Sequence, residues 1–496
     1  MHSSLKYFTG LLLILGQLLL CQTSSGKSLS ALTHSSENWF NDFKNKATDK
    51  ELYQFLYNMP KGGDLHHHSS GSNFPRWWYE LATNSKLNGG YRYYTKTTLD
   101  LCQNYGRNAF SFNSPTLAFI NISAQTYNKL SACEKSNYTE LSSLTPAEKN
   151  AWQESLWLDK SYEGRDEFFQ AHWQRLNELA NNPYIAAELL VRNMKAFAAE
   201  GVIYLESQFN VSKFATPTGE VKTQEQALSI LKKRLAKADA KQTGVSVKLI
   251  FQLLRFLPNA EQQLTKIYEF VDQHRDIYVG INMVGREDNG KGHPLRFLST
   301  LRQLRQKYPA ISLTIHAGEV DEPNFHIRDT LLLGADRIGH GINLLGDPQT
   351  VLLMRHNHYL IEINLVSNLL LEYVNDFKQH PFPEYLRTGI PVALSTDDRG
   401  MFHSNLTDEF FIAVKTFNLS WQEVVELSEN SLAYSFLNSQ DKEQLLKKFD
   451  HNINSFQQKF KNYDLKSLNK APVINQFIGR HYPQLKPEPE LTQLTN

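Results

Sequence analysis

The chain has 496 residues, of which 41% are hydrophobic and 21% charged, a balance typical of a soluble globular protein with a large core. Lys and Arg together number 52 and Asp and Glu 51, without a long basic run, so nucleic acids are not indicated as partners. The length suits one barrel that carries an insertion.

Residues 1–25 are predicted to be a signal peptide, because Lys6 precedes the apolar run LLLILGQLLL and small and polar residues follow it. This run is shorter than the about 20 residues that span a membrane, and no other segment approaches that length. The sequence therefore predicts a secreted or otherwise extracytoplasmic protein with no membrane span. A lipid anchor on Cys21 is the alternative, although Leu20 stands where lipoprotein signals have a small residue.

Two cysteines, Cys102 and Cys133, remain once the signal peptide is removed. In an oxidising compartment an even pair favours one disulfide, with two unpaired buried thiols as the alternative.

The first predicted element is an N-terminal helical extension over residues 26–59. Trp39, Phe43 and Phe55 belong to an apolar pattern at helical spacing, and Pro60 ends it.

Eight short apolar runs follow within residues 60–480, and helical patterns such as 225–240, 260–274 and 294–307 separate them from the second run onward. Eight β units that alternate with α units predict an α/β fold, the TIM (β/α)8 barrel. The predicted strands are 63–69, 201–209, 245–254, 277–285, 311–319, 337–344, 359–367 and 390–398.

The spacing of the runs is irregular once, between the first and the second. Because a structureless loop of that length is unusual, we predict an inserted subdomain over 72–165, which holds both mature cysteines, and the first barrel helix over 166–199. Residues 481–496, with the proline-spaced PQLKPEPE, are predicted to be a flexible tail.

Titratable residues fall at the carboxyl ends of the predicted strands, where barrel enzymes place catalytic groups. Residues two apart share a face of a strand, so His66 and His68 point the same way. The fifth strand adds His316 and the eighth adds Asp397. Three imidazoles and one carboxylate with an open position suit one catalytic zinc ion per subunit.

Each of these residues also has a purely structural interpretation. Three consecutive histidines can be a surface accident, His316 can be a hydrogen-bonded core residue, and Asp397 with Asp398 can cap a turn before Gly400. Chance does not readily bring four such residues to the ends of three strands, so the metal interpretation is favoured.

Four ordered segments resemble signatures of the adenosine deaminase family: MPKGGDLHHHSSG, TIHAGEV, RIGHG and ALSTDD. The resemblance spans residues 58–440. The export signal, the insertion and the segments GINMVGREDNG and SNLLLEYVNDFKQHPFPEYLRTGIP are most similar to the secreted, growth-factor-type branch. The resemblance implies zinc-dependent hydrolysis of adenosine, and of 2′-deoxyadenosine, to inosine and ammonia outside the cytoplasm.

The resemblance also implies a role for each matching residue. Glu319 would protonate N1 of the purine, so its pKa should be raised by burial or by negative neighbours. His340 would orient and deprotonate the attacking water, Asp398 would share a hydrogen bond with N7, and the backbone N–H of Gly285 would meet N3. The implied zinc ligands are His66, His68, His316 and Asp397.

Two positions depart from the family pattern. Members commonly carry an Asp that contacts the ribose just after the H-x-H pair, where this chain has Ser69 and Ser70. The Ser70 hydroxyl can still bind a sugar but brings no charge, so another 6-aminopurine nucleoside is the alternative substrate. Arg399 stands where Pro is common, and its side chain is expected to face solvent rather than the pocket mouth.

The resemblance further implies a homodimer paired through the N-terminal helix, with packing of its aromatic residues on the barrel as the alternative. The insertion could wall the ribose side of the pocket or contact a receptor or a glycan. A different class of function stays open, an extracellular signalling or binding protein in which deamination is secondary. The presence of every expected metal ligand and catalytic residue argues against an inactive form.

Overall fold

The computed structural model describes residues 33–102, 116–158, 160, 162–320, 324–460 and 465–486. The predicted signal peptide with Cys21 and residues 487–496 of the predicted tail lie outside the described residues.

A TIM-type barrel of eight parallel strands forms the body of the protein, as predicted. In chain order the strands are β1 Lys61–His68, β2 Tyr93–Lys96, β3 Asn121–Ser123, β4 Tyr138–Glu140, β5 Val202–Gln208, β6 Ser246–Leu254, β7 Tyr278–Val284, β8 Ser312–Ala317, β9 Arg337–His340, β10 Leu360–Ile363 and β11 Val392–Leu394. Strand β1 and strands β5 to β11 neighbour one another in that order, and each predicted run overlaps one of them. Barrel strands are covered on both faces, which is why they could be recognised as continuous apolar runs.

Helices separate and surround these strands. The α-helices are Thr33–Lys46, Asp49–Asn58, Pro75–Ala82, Ala124–Lys129, Ala132–Ser136, Pro146–Glu154, Arg165–Glu167, Trp173–Leu176, Pro183–Ala199, Gln224–Leu235, Ala238–Lys241, Ala260–Gln273, Leu298–Lys307, His326–Leu332, Pro348–Asn357, Leu365–Leu370, Phe382–Arg387, Leu406–Phe417, Trp421–Ala433, Ser439–Phe460 and Gln476–His481. No helix within the described ranges has the length and apolar character needed to cross a membrane.

The segment predicted as the first barrel helix, 166–199, is not one helix. A π-helical turn over Phe168–His172 and a 3-10 turn over Asn177–Asn181 precede the regular helix Pro183–Ala199. Asn177 has a φ of 38°, and proline has no N–H to continue a preceding helix. The regular helix therefore restarts at Asn182, whose side chain accepts the backbone N–H groups of residues 184 and 185.

The N-terminal extension forms the two helices Thr33–Lys46 and Asp49–Asn58, and its aromatic rings pack inside the chain. The ring centroid of Trp39 lies 5.2 Å from that of Trp421, and that of Phe55 lies 4.6 Å from that of Phe460. The structure thus shows the alternative that was set against subunit pairing, because these rings are buried against the chain's own helices. The homodimer stays a prediction, and these rings give it no support.

The insertion is a small subdomain with its own antiparallel sheet in the order β3-β2-β4. Cys102 and Cys133 form a disulfide with a Cα–Cα distance of 5.7 Å, which confirms the predicted pair. At the other end of the chain, Pro483–Leu485 form a helical turn with Leu485 buried. The described part of the predicted tail thus has one buried residue among mostly exposed ones, and the flexibility of the tail stays a prediction.

The seam between β11 and β1 is the weakest junction of the barrel. In the described part of the chain these strands form no ladder, and one isolated bridge joins His67 to Asp397. The Asp397 N–H donates to the His66 carbonyl at 2.8 Å, and the His68 N–H donates to the Asp397 carbonyl at 3.3 Å. The residues that close the barrel are thus the predicted metal ligands or lie between them.

Candidate active site

A cavity of about 410 Å³ opens at the carboxyl ends of the barrel strands. The sequence-predicted residues on its wall are His68, Ser70, Gly285, His316, Glu319, Asp397 and Asp398. His66 and His340 are fully buried beside it, within a cluster whose ligand atoms lie within 4.8 Å of one another. The structure therefore brings every predicted site residue together.

The four predicted metal ligands converge on one point. The Nε2 atom of His316 lies 3.0 Å from Nε2 of His66 and 3.3 Å from Nε2 of His68. Oδ1 of Asp397 lies 3.1 Å from Nε2 of His68 and 3.5 Å from Nε2 of His66. Three imidazole nitrogens and a carboxylate oxygen so close together make a donor set suited to a divalent metal ion.

The outer nitrogen of each imidazole is held by an acceptor. The Nδ1 atoms of His66, His68 and His316 lie 2.7, 3.3 and 3.1 Å from side-chain oxygens of Glu362, Gln252 and Asn282, respectively. An Nδ1–H that donates outward leaves the Nε2 lone pair directed inward, which is the tautomer that a metal ligand requires.

The charge of the cluster also favours a cation. Oδ2 of Asp397 accepts a hydrogen bond from the Ser367 hydroxyl at 2.7 Å, while its buried Oδ1 has no hydrogen-bond partner. Burial raises the pKa of the Asp397 carboxyl, but the neighbouring His68 and His66 imidazoles outweigh it and hold that pKa below its ordinary value, so this ligand is ionised. The residues present therefore fit a metal ion in both geometry and charge.

Two residues of the site, His340 and Asp397, have a left-handed backbone conformation that directs their side chains toward the cluster. His340 has a φ of 66° and Asp397 a φ of 53°, in a region that residues other than glycine adopt at a cost. His340 ends β9 and Asp397 lies three residues after the end of β11, and their side chains meet in one cluster of possible ligand atoms.

Glu319 has the environment of a proton donor. Burial raises the pKa of its carboxyl well above the ordinary value, and the nearby Asp397 and Glu287 carboxyls raise it further. Its Oε1 lies 3.6 Å from Nε2 of His340. The carboxyl therefore keeps its proton at neutral pH, as the sequence analysis requires of it.

A buried ion pair that the sequence analysis missed holds the backbone around Glu319. Arg255 donates to the carbonyl oxygens of Gly285 and His316 at 2.6 Å each, and its Nη2 lies 3.5 Å from Glu287. Glu287 in turn accepts the backbone N–H of Glu319 at 3.1 Å. The backbone of His316, assigned to the metal, is thus fixed relative to that of Gly285 and Glu319, which are assigned to the purine.

Asp398 lies on the cavity wall with an unpartnered buried Oδ1. Burial raises the pKa of its carboxyl well above the ordinary value, and the ionised Asp397 beside it adds to the rise. A Cβ on Gly71 would lie 1.8 Å from Oδ1 of Asp398, so only glycine leaves this carboxyl its place.

A layer of buried charge lies beneath the metal ligands and was also missed. Glu362, besides its contact with His66, accepts hydrogen bonds from Thr314 at 2.9 Å and Arg337 at 2.7 Å. Arg337 also pairs with Glu206 at 2.7 Å. The signal was the placement of Glu362 inside the apolar run YLIEINL, since a carboxylate in a buried strand needs partners.

Two neighbouring residues differ in how well they were predicted. His67 points away from the cluster as expected, with its Nδ1 3.0 Å from the Ser207 hydroxyl. Arg399 was predicted to face solvent, and this is wrong: its side chain is 3% exposed and donates to Glu200 at 2.9 Å. Its guanidinium carbon lies 4.3 Å from the ring centroid of Phe197, so a buried carboxylate and an aromatic face replace water.

Residues from and just after the insertion wall one side of the cavity. Asn73 and Trp78 come from the insertion itself, and Phe168, Phe169 and Trp173 follow from the π-helical segment and the helix after it. The insertion therefore contributes to the cavity wall, and whether this wall faces the ribose stays a prediction.

Comparison with known proteins provides evidence that does not depend on the geometry of the site. The family profile described as "Adenosine deaminase" matches residues 132–452, more than half of the chain. The match begins after β1, so the assignment of His66 and His68 as metal ligands rests on the sequence motif and the geometry alone.

Among curated proteins, the chain is 29% identical over 303 residues to an adenosine deaminase-like protein of Drosophila pseudoobscura pseudoobscura, covering 60% of this chain and 83% of the relative. It is 30% identical over 262 residues to N6-methyl-AMP deaminase-L of Xenopus laevis, covering 52% and 72%. It is 26% identical over 430 residues to adenosine deaminase 2 of Dictyostelium discoideum, covering 83% and 75%.

Solved structures share the fold. An adenine deaminase from Arthrobacter aurescens aligns with a TM-score of 0.57 and 20% identity, covering 80% of this chain and 99% of the other. An amidohydrolase from Burkhoderia ambifaria with bound Zn aligns with a TM-score of 0.57 and 17% identity, covering 83% and 96%.

Proposed function

Because the chain belongs to the adenosine deaminase family of hydrolytic deaminases, we propose that it converts adenosine, and 2′-deoxyadenosine, to inosine and ammonia with one zinc ion per subunit. The observation that carries this proposal is the meeting of the ligand cluster with the proton-bearing Glu319 in one cavity. A likeness to a Zn-bound amidohydrolase supports the fold, and the donor set supports the choice of metal.

Zinc would be held by His66, His68, His316 and Asp397, and it supplies the acidity that lowers the pKa of a water molecule to about 7. The remaining residues of the cavity bind and orient the purine. N1, N3 and N7 of adenine are all hydrogen-bond acceptors. Glu319, the backbone N–H of Gly285 and the protonated Asp398 are three donors that can meet them, and this matching favours a 6-aminopurine.

The reaction adds the water oxygen to C6 and breaks the C6–N6 bond. Glu319 gives its proton to N1, where it stays in inosine. One proton of the water ends on the departing amine as ammonia, and the other restores the acid form of Glu319. The raised pKa of Glu319 keeps its carboxyl protonated at neutral pH, so that a proton is available for N1.

The charge of the cavity favours a nucleoside over a nucleotide. Among the described residues on its wall, Lys213 is the one with a cationic side chain, and it is exposed. A 5′-phosphate dianion is usually held by several charge-assisted hydrogen bonds from Arg or Lys. Ser70 can bind the ribose without charge, which suits an unphosphorylated sugar.

N6-methyl-AMP is the second candidate substrate. The name of the Xenopus laevis relative and the presence of one cationic side chain, Lys213, on the cavity wall support it. In this alternative the chemistry at C6 is unchanged, and methylamine leaves instead of ammonia.

A substrate panel on purified, zinc-loaded protein tests the proposal. Adenosine, 2′-deoxyadenosine, AMP and N6-methyl-AMP are compared by kcat/KM, with metal content measured on the same sample. We expect adenosine to lead and Glu319→Gln to remove turnover. The matched control, Glu443→Gln at an exposed helix position, should leave it unchanged. Preference for N6-methyl-AMP would favour the second candidate, and full turnover by Glu319→Gln would refute the acid role.

We also propose that the protein acts outside the cytoplasm. The predicted signal peptide and the Cys102–Cys133 disulfide support this, since such bonds persist in oxidising compartments. Detection of the processed chain in culture medium tests it. A homodimer, and a receptor or glycan contact through 72–165, stay proposals for measurements of mass in solution and of binding. A signalling role independent of deamination would require that Glu319→Gln keeps the biological effect.

A further inference from the structure

A chain of buried hydrogen bonds runs from a backbone amide to the imidazole of His340. The N–H of Phe382 meets Nδ1 of His380 at 3.1 Å, and Nε2 of His380 lies 3.0 Å from Oδ1 of Asn368. Nδ2 of Asn368 lies 3.0 Å from Nδ1 of His340. Each of these side chains is at most 2% exposed, so solvent cannot take the place of any partner.

The direction of this chain is set at its first link. A backbone N–H can only donate, so Nδ1 of His380 must accept and must carry a lone pair. A neutral imidazole then has its one proton on Nε2. Burial keeps His380 neutral, because it lowers the pKa of this imidazole to about 3.

The same logic fixes the next two groups. The Nε2–H of His380 must meet an oxygen, which turns the carbonyl of Asn368 toward His380 and its NH2 group toward His340. An NH2 group only donates, so Nδ1 of His340 accepts. The amide nitrogen of Asn364, 3.4 Å from the same Nδ1, faces it in the same sense.

We infer that His380 and Asn368 are positioning residues that fix His340 as an Nε2–H donor toward the cavity. Nε2 of His340 has no hydrogen-bond partner in the described structure and is the nitrogen 3.6 Å from Glu319. In this tautomer it has no lone pair with which to take a proton from water. The partner that suits it is an oxygen with negative charge, such as that of an attacking water whose proton passes to the Glu319 carboxylate, as in the proposed reaction.

This inference rests on the proposed deamination and changes one role within it. The family resemblance implied that His340 deprotonates the water, whereas the hydrogen-bond chain makes it a donor that orients the oxygen. A fixed donor aimed at a charge that takes part in the reaction stabilises the transition state without reorganisation.

Neutron diffraction of the deuterium-exchanged, zinc-loaded protein tests the tautomer directly. We expect deuterium on Nε2 of His340 and none on Nδ1, and the same pattern on His380. Deuterium on Nδ1 of His340 would overturn the inference. This readout needs no turnover, so it decides the tautomer even if wild-type protein deaminates no purine nucleoside and the proposed function fails.

Variants test the consequence for catalysis. Asn368→Asp presents an acceptor to Nδ1 of His340 and reverses the polarity, so kcat for adenosine should fall about 100-fold with little change in KM or zinc content. His380→Gln keeps a carbonyl for the Phe382 N–H and an NH2 for Asn368, so it should retain most of kcat.

Asn430→Asp is the matched control, because Asn430 donates to the Val392 carbonyl away from the cavity and is expected to keep wild-type kcat. Equal losses in Asn368→Asp and His380→Gln would show that packing rather than polarity matters and would overturn the inference. If Asn368→Asp does not fold, the neutron maps of the wild type and of His380→Gln still decide it.

Discussion

Replacement of Glu362 by Gln should weaken zinc binding without creating a cavity in the barrel core. The carboxylate is fully buried and accepts from Nδ1 of His66 at 2.7 Å. Gln keeps the volume but removes the charge that orients this imidazole and raises its basicity. Loss of such an outer contact typically costs 10–100-fold in metal affinity, about 1.4–2.7 kcal/mol.

The loss of folding stability should be smaller than for an unpaired buried charge. Arg337 loses the charge of Glu362, but it keeps Glu206 at 2.7 Å and the Tyr434 carbonyl at 3.0 Å. Breaking a buried pair outright costs about 3–5 kcal/mol, and the remaining partners should hold the effect below that.

Competition between the protein and a fluorescent zinc chelator at neutral pH measures the affinity. Thermal unfolding of the metal-free proteins reports stability separately, and Glu443→Gln serves as the exposed control. A zinc affinity of Glu362→Gln within twofold of wild type would refute the reasoning, because His66 would then bind zinc without help from Glu362.

Three further changes test other parts of the site. Glu319→Gln should raise the Tm of the metal-free protein, and more at pH 8 than at pH 5, because a carboxyl whose folded pKa is raised destabilises the fold increasingly above its ordinary value of 4.5. Arg255→Lys should lower kcat/KM for adenosine about tenfold or more, since a single ammonium cannot span the carbonyls that the guanidinium ties together. Gly71→Ala should raise KM, because its Cβ would displace the Asp398 carboxyl.

Each of these predictions has a result that would contradict it. A Tm gain in Glu319→Gln that does not depend on pH would mean that ionisation of this carboxyl is not the cause. Arg275→Lys controls for Arg255→Lys, because Arg275 also binds two backbone carbonyls, but at an exposed loop, so equal losses would count against the positioning role. Gly71→Ala kinetics identical to wild type would show that Asp398 does not contact the purine.

The barrel and the ligand set could be predicted because both leave local patterns. Strands buried on both faces leave apolar runs, and a strand that carries two ligands needs them two residues apart, as His66 and His68 are. The single helix predicted over 166–199 was wrong because one residue with positive φ, Asn177, and a following proline outweigh the apolar pattern.

The second layer of the site could not be predicted, because its partners are distant in the sequence. Arg337 and Glu206 are separated by 131 residues, and Arg255 and His316 by 61. Arginine is mostly exposed in proteins, so the burial of Arg399 could not be foreseen without its contacts with Glu200 and Phe197, which are also distant in the sequence.

At the weak seam between β11 and β1, a bound metal ion would also hold the barrel together. His66 and His68 lie on one side of it and Asp397 on the other, where the described backbone offers a single bridge. An ion bound there acts as a clasp that joins the first strand to the last, so removing it should speed amide hydrogen exchange around these residues and leave the long β6–β7 pairing protected. Binding of the ion would therefore also stabilise the closure of the barrel, and metal starvation would act on the lifetime of the protein as well as on its turnover.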